Sequence, residues 1–515
     1  MMRSSTINII AIIALTVIVA SSNVQSAKIV GYPLDAYSHT DNFIRVGDEL
    51  MNRGHSFTLL ISTWIESKVK DKIHFNSMTY FSYLNDDITK FCIVSAIRDD
   101  YPPKNCSTFY SYQCHNTSRD QEIIKAISQA DILICDVCGA CCHVLAKIAK
   151  VPIVVDYSSL GFLDPIVSSV HRIPNPLAYI PQMGTDYPTL MTFSQRLSNF
   201  LGYVVIILFK DYVMAPPFNE ILHQHGIVNQ DIYIDRSPAH ILLVASDFAI
   251  EFPRPITPGV KMIGPVTVQS PQPLPQDIEN FINSNSNGFI FVSFGTVAVA
   301  LNAITDIEEM AKGLGQLPYN VLWKYTGSPI KNLPTNIKTV NWAPQNDVLG
   351  HAKIKAFVSH CGMNSVLEAA YHGVPVIAVP LMYDQSNNAQ KLAVAGMSKI
   401  INFRYLNAKS IKQIINDVVS DPIYSKNAKR VSSIMKDRPS RRKPIQEAAD
   451  WIEYALRFDG CEHLRSQEMN MPFYQRYLLD VIGFIALTIY IFYRIMRISC
   501  GFLCKRCCAK KTKQD

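Results

Sequence analysis

The stretch Phe357–Gln385, FVSHCGMNSVLEAAYHGVPVIAVPLMYDQ, decides the fold of this chain. Phe357, Val358 and Ser359 end an apolar strand, His360-Cys361-Gly362 turns the chain, and Asn364 and Ser365 open a helix. The first N–H groups of such a helix lack internal partners and the macrodipole adds to them. The helix start therefore suits an anion such as pyrophosphate, with His360, Asn364 and Ser365 as further donors. Glu368 lies one turn further along the same face, an acceptor placed where ribose hydroxyls would fall. Val374–Pro380 reads as the next buried strand. Asp384-Gln385 follows at its loop end, where parallel sheets bind their ligands.

Working outward, Gly288–Phe294, Asn320–Tyr325, Ile337–Trp342 and Ile354–Val358 read as further strands alternating with helical stretches, so residues 276–460 are expected to form one doubly wound lobe. Seven prolines between Pro253 and Pro275 mark a boundary, because each removes a backbone donor and restricts φ. Before them, Lys28–Tyr32, a helical stretch Thr40–Asn52 and Ser56–Ser62 make a βαβ unit. Asp131–Cys135, a helix near Ala140–Lys150 and Pro152–Val155 repeat the pattern, giving a first lobe over residues 28–270. The Pro- and aromatic-rich segment from Tyr157 to about Glu220 reads either as packed helices or as part of a binding pocket. A late helix, Pro444–Phe458, is expected to cross back to the first lobe. The fold class is α/β, with two Rossmann-like lobes facing a cleft.

At 515 residues two lobes are the natural division. Residues 1–27 carry an early Arg3, an apolar run Ile9–Ala20 and small residues after it, and read as a secretory signal peptide or, alternatively, a signal anchor. Residues 478–502 read as a transmembrane segment with Arg494 and Arg497 snorkelling at its end, and 503–515 as a basic cytosolic tail. From Arg494 on there are seven basic residues and one acidic; that +6 of the chain's +7 leaves +1 for the rest, which argues against a nucleic-acid partner. Lys511 and Lys513 form a KxKxx ending that resembles a signal for return to the endoplasmic reticulum.

Of 13 cysteines, Cys500, Cys504, Cys507 and Cys508 lie at or beyond the span. Cys106 and Cys114, in a polar loop, are expected to pair in an oxidising compartment, and Asn105 and Asn116 are glycosylation sequons in the same loop. Cys135, Cys138, Cys141 and Cys142 read as buried thiols or disulfides, or as a zinc site lacking paired knuckles.

The Phe357–Gln385 segment, together with Trp342-Ala343-Pro344-Gln345-Asn346-Asp347-Val348-Leu349-Gly350-His351 upstream of it, resembles the signature of UDP-glycosyltransferases, and its wording resembles the animal UDP-glucuronosyltransferase branch. The resemblance runs through nearly all of the mature chain and implies the two-lobed GT-B fold plus a C-terminal transmembrane helix. It implies that Trp342 and Gln345 hold uracil and ribose, that His360, Asn364 and Ser365 serve the phosphates, that Glu368 takes the ribose, and that Asp384 and Gln385 take sugar hydroxyls. Cys361 and Ser365 stand where the family more often has Gly, and Ser386-Asn387-Asn388 replaces a frequent Pro-Asp-Asn.

Sugar transfer to a hydroxyl needs a base, alignment and stabilisation of departing UDP. His39, after the first strand in Pro33-Leu34-Asp35-Ala36-Tyr37-Ser38-His39, is by itself a surface or capping residue as readily as a base. The resemblance makes it the catalytic base, and Asp136 its partner; Asp136 is otherwise an N-cap for the helix that follows. Ser293 and Thr296, in Ser293-Phe294-Gly295-Thr296, are expected to add phosphate donors, with a plain structural turn as the alternative. No HExxH, paired-Cys or DxD-like motif accompanies them, so neither a metal nor a cofactor is expected; the UDP-sugar is a co-substrate. Arg254 is either a cation for a glucuronate carboxylate or a linker residue. The activity the resemblance implies is inverting transfer of a sugar, glucuronate to small lipophilic acceptors first, with glucose or galactose to a lipid or sterol as the alternative. The expected setting is the endoplasmic reticulum membrane, where lipid is a further partner and the catalytic part is luminal. A non-catalytic UDP-binding protein is the third reading, opposed by the presence of both His39 and Asp136.

Overall fold

The computed structural model describes residues 26–99, 104–228, 230, 232, 241–296 and 305–511. Residues 1–25 of the expected leader 1–27, the side chains of Asn105, Cys106 and residues 503–511, and residues 512–515 of the expected tail lie outside the described residues. The chain divides into two units, one ending at Leu464 and one beginning at Arg465.

The first unit opens with β1 (Lys28–Tyr32), α1 (Tyr37–Asn52), β2 (Ser56–Ser62), β3 (Asn76–Tyr80), β4 (Ile132–Asp136), α2 (Ala140–Ala149), β5 (Ile153–Ser158), a long helix α3 (Phe193–Phe209), β6 (Ile241–Val244) and β7 (Val260–Met262). These strands form a seven-stranded parallel sheet in the order β3-β2-β1-β4-β5-β6-β7. The apolar runs explain why: β4 is buried at every position, as a strand covered by helices on both faces must be. The order reverses between β1 and β4, so the crevice outside the carboxyl ends of those two strands is the topological switch point of this lobe.

The second lobe contains β8 (Phe289–Ser293), β9 (Asn320–Lys324), β10 (Ile337–Val340), β11 (Ile354–Ser359), α4 (Met363–His372), β12 (Val376–Ala378), α5 (Gln385–Val394) and β13 (Ser398–Ile400). Its six parallel strands run β10-β9-β8-β11-β12-β13, with the switch point between β8 and β11. A later helix, α6 (Pro444–Arg457), returns to the first lobe. Its Ala448, Ala449, Ile452 and Ala455 are buried with Ile29, Phe43, Ile134 and Tyr157. Arg53 binds Asp450 and Glu453 of α6 at 2.7 and 3.1 Å, and His55 Nε2 lies 3.2 Å from Glu453.

Two details correct the sequence reading. Lys104–Thr117 is a helix rather than a loop, and Cys114 pairs with Cys141, not with Cys106. Cys135 pairs with Cys142, so three of the four clustered cysteines are oxidised and Cys138 of that group keeps its thiol. Cys135, His143 and Asp156 have ligand atoms within 4.8 Å of one another, but the Cys135 sulfur is spent in its disulfide. His143 and His171 lie 2.7 and 2.8 Å from the Asp156 carboxylate, which they hold below the ordinary range despite its burial.

In the second unit, α7 (Leu479–Lys511) contains a 24-residue stretch, Leu479–Phe502, long and apolar enough to cross a membrane. The helical run Phe193–Gln224, which begins with α3, passes the same test of length and composition and is largely exposed, with Leu197, Leu201, Val205 and Leu208 about half accessible.

Candidate active site

The two switch points belong to the same unit, and each supplies one set of side chains. In the first lobe, His39 lies in the first turn of α1 and is buried. Its Nδ1 lies 2.7 Å from Asp136 Oδ2 and 3.0 Å from Ser159 Oγ. The other Asp136 oxygen accepts the Cys138 N–H at 2.9 Å, while the helix that follows is capped at Gly139 without a side-chain bond; Asp136 is therefore not its N-cap. With Nδ1–H facing the carboxylate, Nε2 is the nitrogen left to take a proton. Burial opposes charging of His39, but the charge and hydrogen bond of Asp136 outweigh it and raise its pKa; Asp384 adds to the rise. A carboxylate on the second lobe is thus felt at a histidine on the first.

Beside the dyad lies a polar wall. Asp35 accepts from Ser82 at 2.9 Å and is also bonded to Ser62 and Gln113. Burial raises its pKa, and the rings of Tyr32 and Tyr80 stack nearby with centroids 5.4 Å apart. Asp35 and, from the second lobe, Tyr383 both act electrostatically on Tyr110.

In the second lobe, Trp342 presents an exposed ring, 61% accessible, suited to stacking on a flat base. Gln345 opens a short helix and donates to Ser365 Oγ at 2.9 Å and Glu368 Oε2 at 2.5 Å. Burial pushes Glu368 up to about 7, with Gln345 opposing. His360 ends the β11 loop; burial lowers it to about 4, so it is a neutral hydrogen-bonding group at pH 7. Its ring packs against Gly295, where a Cβ would lie 2.7 Å from His360 Cε1. Cys361 adopts φ 64°, the left-handed conformation that glycine takes readily. This fits its place where the family more often has Gly, and the turn keeps its shape at the cost of a strained residue.

Asp384 sits at the N-cap of α5 and accepts Asn388 Nδ2 at 2.6 Å; burial raises its pKa. Gln385 has its Oε1 occupied by the Leu381 and Met382 N–H groups at 2.8 and 3.1 Å, leaving only its amide nitrogen for a ligand. Ser293 ends β8 fully buried, and Thr296 lies exposed beyond it. Asn364, in the first turn of α4, reaches across to the first lobe and donates to Ser38 O at 3.3 Å.

Arg254 has a carboxylate partner within its own lobe. Its guanidinium is paired with Asp164 at 2.6 and 2.8 Å and lies 4.5 Å over Phe162. Another ion pair, Lys391 Nζ to Glu251 at 3.0 Å, joins the lobes. Between these pairs a small cavity is lined by Leu160, Leu163 and Asp164 on one side and Asp384, Asn388 and Lys391 on the other.

The sequence reading missed Lys324 and Ser159. Lys324 ends β9 at the binding edge, and burial lowers its pKa while Glu368 opposes; its charge in turn disfavours the protonated form of His360. A lysine closing the apolar run Val321–Trp323 was the available signal. Ser159 left none.

The family model described as "UDP-glucoronosyl and UDP-glucosyl transferase" matches residues 27–514. The human UDP-glucuronosyltransferase 1A3 (Homo sapiens) is 30% identical over 516 residues, covering 95% of this chain and 93% of the relative. The human 2-hydroxyacylsphingosine 1-beta-galactosyltransferase (Homo sapiens) is 29% identical over 470 residues, covering 89% and 85%. Among solved structures, the spinosyn forosaminyltransferase SpnP superposes with a TM-score of 0.55 at 15% identity, over 83% of this chain and 99% of that one. The calicheamicin glycosyltransferase CalG4 gives 0.52 at 16%, over 84% and 99%.

Proposed function

The chain belongs to the UDP-glucuronosyl and UDP-glucosyl transferase family, and from that premise we propose that it is a membrane-bound inverting enzyme that moves a sugar from a UDP-sugar to a hydroxyl of a small lipophilic acceptor. It is a UDP-glycosyltransferase with the GT-B fold. The observation that carries the finer reading is the buried His39–Asp136 pair, 2.7 Å apart, at the switch point of a lobe whose partner bears the nucleotide signature.

In this reading His39 Nε2 takes the acceptor's hydroxyl proton while that oxygen bonds to the sugar's anomeric carbon. The bond from that carbon to UDP breaks on the opposite face, so an α-linked sugar becomes a β-glycoside, and the electron pair leaves on a phosphate oxygen. Asp136 holds the tautomer and offsets the imidazolium charge. Trp342 and Gln345 receive uracil and ribose, and Glu368 the ribose hydroxyls. The α4 start, His360, Asn364, Ser365, Ser293 and Thr296 surround the phosphates, with Lys324 as a nearby cation. Asp384 and the Gln385 amide take sugar hydroxyls. The relatives include glucuronosyl and galactosyl transferases alike. Glucuronate is the leading donor sugar by sequence wording; a neutral hexose is the second reading, favoured by the engagement of Arg254 with Asp164.

Residues 1–27 direct the chain to the endoplasmic reticulum, the Leu479–Phe502 stretch spans its membrane once, and the lobes face the lumen. Exposed apolar side chains of α3 support contact with lipid and a lipophilic acceptor. The test is a panel of UDP-glucuronate, UDP-glucose and UDP-galactose with a simple phenol in detergent-solubilised membranes. One of the three should support β-glycoside formation that His39→Ala lowers by about 10²–10⁴-fold while UDP binding persists. Near-normal turnover in His39→Ala moves the base elsewhere. Protease added to sealed vesicles should spare all but the C-terminal tail, and digestion of the lobes sinks the orientation.

A further inference from the structure

One buried amide on α1 has no part in the chemistry above. Asn42 is 1% exposed, one turn beyond His39 on the same helix. Its Oδ1 accepts the Tyr157 hydroxyl at 2.9 Å, and Tyr157, at the end region of β5, is fully buried with its ring edge-on to Phe43. Its Nδ2 donates to Ser38 O at 2.8 Å and faces Asn364 Oδ1 at 3.5 Å. Asn364 completes the knot by donating its own Nδ2 to Ser38 O at 3.3 Å. The carbonyl shared by both amides belongs to the residue just before His39.

This arrangement has a chemical consequence. An Asn side chain offers a phosphate either N–H or C=O, and only the first is attractive. At Asn364 two neighbours vote the same way. The Asn42 N–H calls for oxygen on its side, and the Ser38 carbonyl calls for N–H on the other. Turned so, Asn364 spends one N–H on Ser38 and keeps its second for a ligand at the α4 start. The Ser38 carbonyl, which can only accept, fixes Asn42 in turn: it holds the Asn42 nitrogen on the side of Asn364 and leaves the oxygen to accept the Tyr157 hydroxyl.

We propose that Asn42 is a positioning residue for nucleotide binding: it fixes the orientation of the Asn364 amide and ties it to the backbone carbonyl beside the base. The proposal rests on the phosphate role given to Asn364 above. It predicts that the apparent acceptor lobe, which holds no part of the nucleotide, nevertheless sets affinity for it.

The discriminating substitution is Asn42→Asp in the full-length protein in detergent. The isostere preserves volume and can still accept from Tyr157, but it presents oxygen to both Asn364 Oδ1 and Ser38 O. UDP dissociation constants by calorimetry and UDP-sugar KM should rise about ten- to a hundredfold, the scale of one charge-assisted hydrogen bond. The rise should exceed that in Asn42→Ala, and kcat at saturating UDP-sugar should change less than KM. In an Asn364→Ala background Asn42→Asp should have little further effect on UDP affinity, because there is no amide left to turn. Tyr157→Phe, which removes only one hydroxyl, should weaken UDP in the same direction by about threefold. A purely packing role predicts the reverse order, Asp milder than Ala, and that order overturns the proposal. A full effect of Asn42→Asp in the Asn364→Ala background also overturns it, since the new charge would then act on the phosphates directly. Unchanged UDP affinity in Asn364→Ala alone refutes the phosphate assignment itself and the proposal with it, in a variant that leaves Asn42 intact.

Discussion

Replacing Asp136 by Asn should disable the base without disturbing the nucleotide. The two Asp136 oxygens serve two donors, the Cys138 N–H at 2.9 Å and the His39 ring at 2.7 Å. Asparagine has only one oxygen. If it stays with Cys138, the amide N–H₂ faces Nδ1, and the imidazole must carry its proton on Nε2, the nitrogen meant to accept one. The loss should approach the whole contribution of a general base, about 10²–10⁴ in kcat. The pH profile should change as well. A charge-assisted bond between buried groups is worth about 1.5–3 kcal/mol, and the variant loses it. In the proposed mechanism neutral His39 is the active form, and since Asp136 raises its pKa, the acidic limb of kcat/KM should move to lower pH in the variant. The raised pKa also means that the pair stabilises the fold fully below the unfolded value of about 6.5 and less as pH climbs through the folded value. The melting temperatures of the two proteins should therefore differ most in acid. Glycoside formation measured across the neutral range, with UDP affinity and thermal melts measured in parallel, checks all of this. Turnover within threefold of the unaltered enzyme, or an unmoved acidic limb, would refute the reasoning.

Three further outcomes are expected. Glu368 is raised from 4.5 to about 7 by burial, so the folded state holds its proton more tightly and stability should fall by roughly 3 kcal/mol as pH rises between those values. Glu368→Gln should flatten that slope in denaturant melts, and parallel curves would show that the carboxyl is solvated. Arg254→Ala leaves Asp164 buried and unpaired, and should cost about 3–5 kcal/mol in unfolding free energy while the preference between UDP-glucuronate and UDP-glucose is unchanged. A selective loss of UDP-glucuronate use would instead assign Arg254 to the sugar carboxylate. Cys141→Ser opens a loop of 27 residues and should cost about 3–4 kcal/mol by chain entropy, with peptide mapping of the unaltered protein showing Cys114 joined to Cys141.

The parts of this molecule legible in its sequence are those that local pattern fixes. Buried parallel strands are continuous apolar runs, so β4, β8 and β11 announce themselves, and the turn after β11 places His360 and Asn364 at a helix start before any contact is known. Strand β3 is different. Its Asn76-Ser77-Met78-Thr79-Tyr80 lies at the sheet edge and is mostly exposed, so neither alternation nor an apolar run marks it. Partner choice was illegible for the same physical reason. Arg254 meets a carboxylate 90 positions away, and Cys114 passes over Cys106 for a helix packed beside it. Such pairings follow from how sheets and helices stack, and spacing along the chain does not encode them. Lys324 and Ser159 enter the site only once β9 and β5 are set beside their neighbours.

Helix α6 has a consequence for biosynthesis. The last strand of the first sheet ends at Met262, yet the helix that supplies Ala448, Ala449 and Ile452 to that lobe's core begins at Pro444, about 180 residues later. At the usual pace of translation that interval lasts roughly 10–40 s. During it the part of the first lobe's core that will receive α6, beside Ile29, Phe43 and Ile134, lacks its last covering helix, while the entire second lobe emerges and folds. The first lobe to be made is thus the last to be finished, and a polypeptide cut short anywhere before Arg457 leaves that part of the core open to chaperones or to other nascent chains.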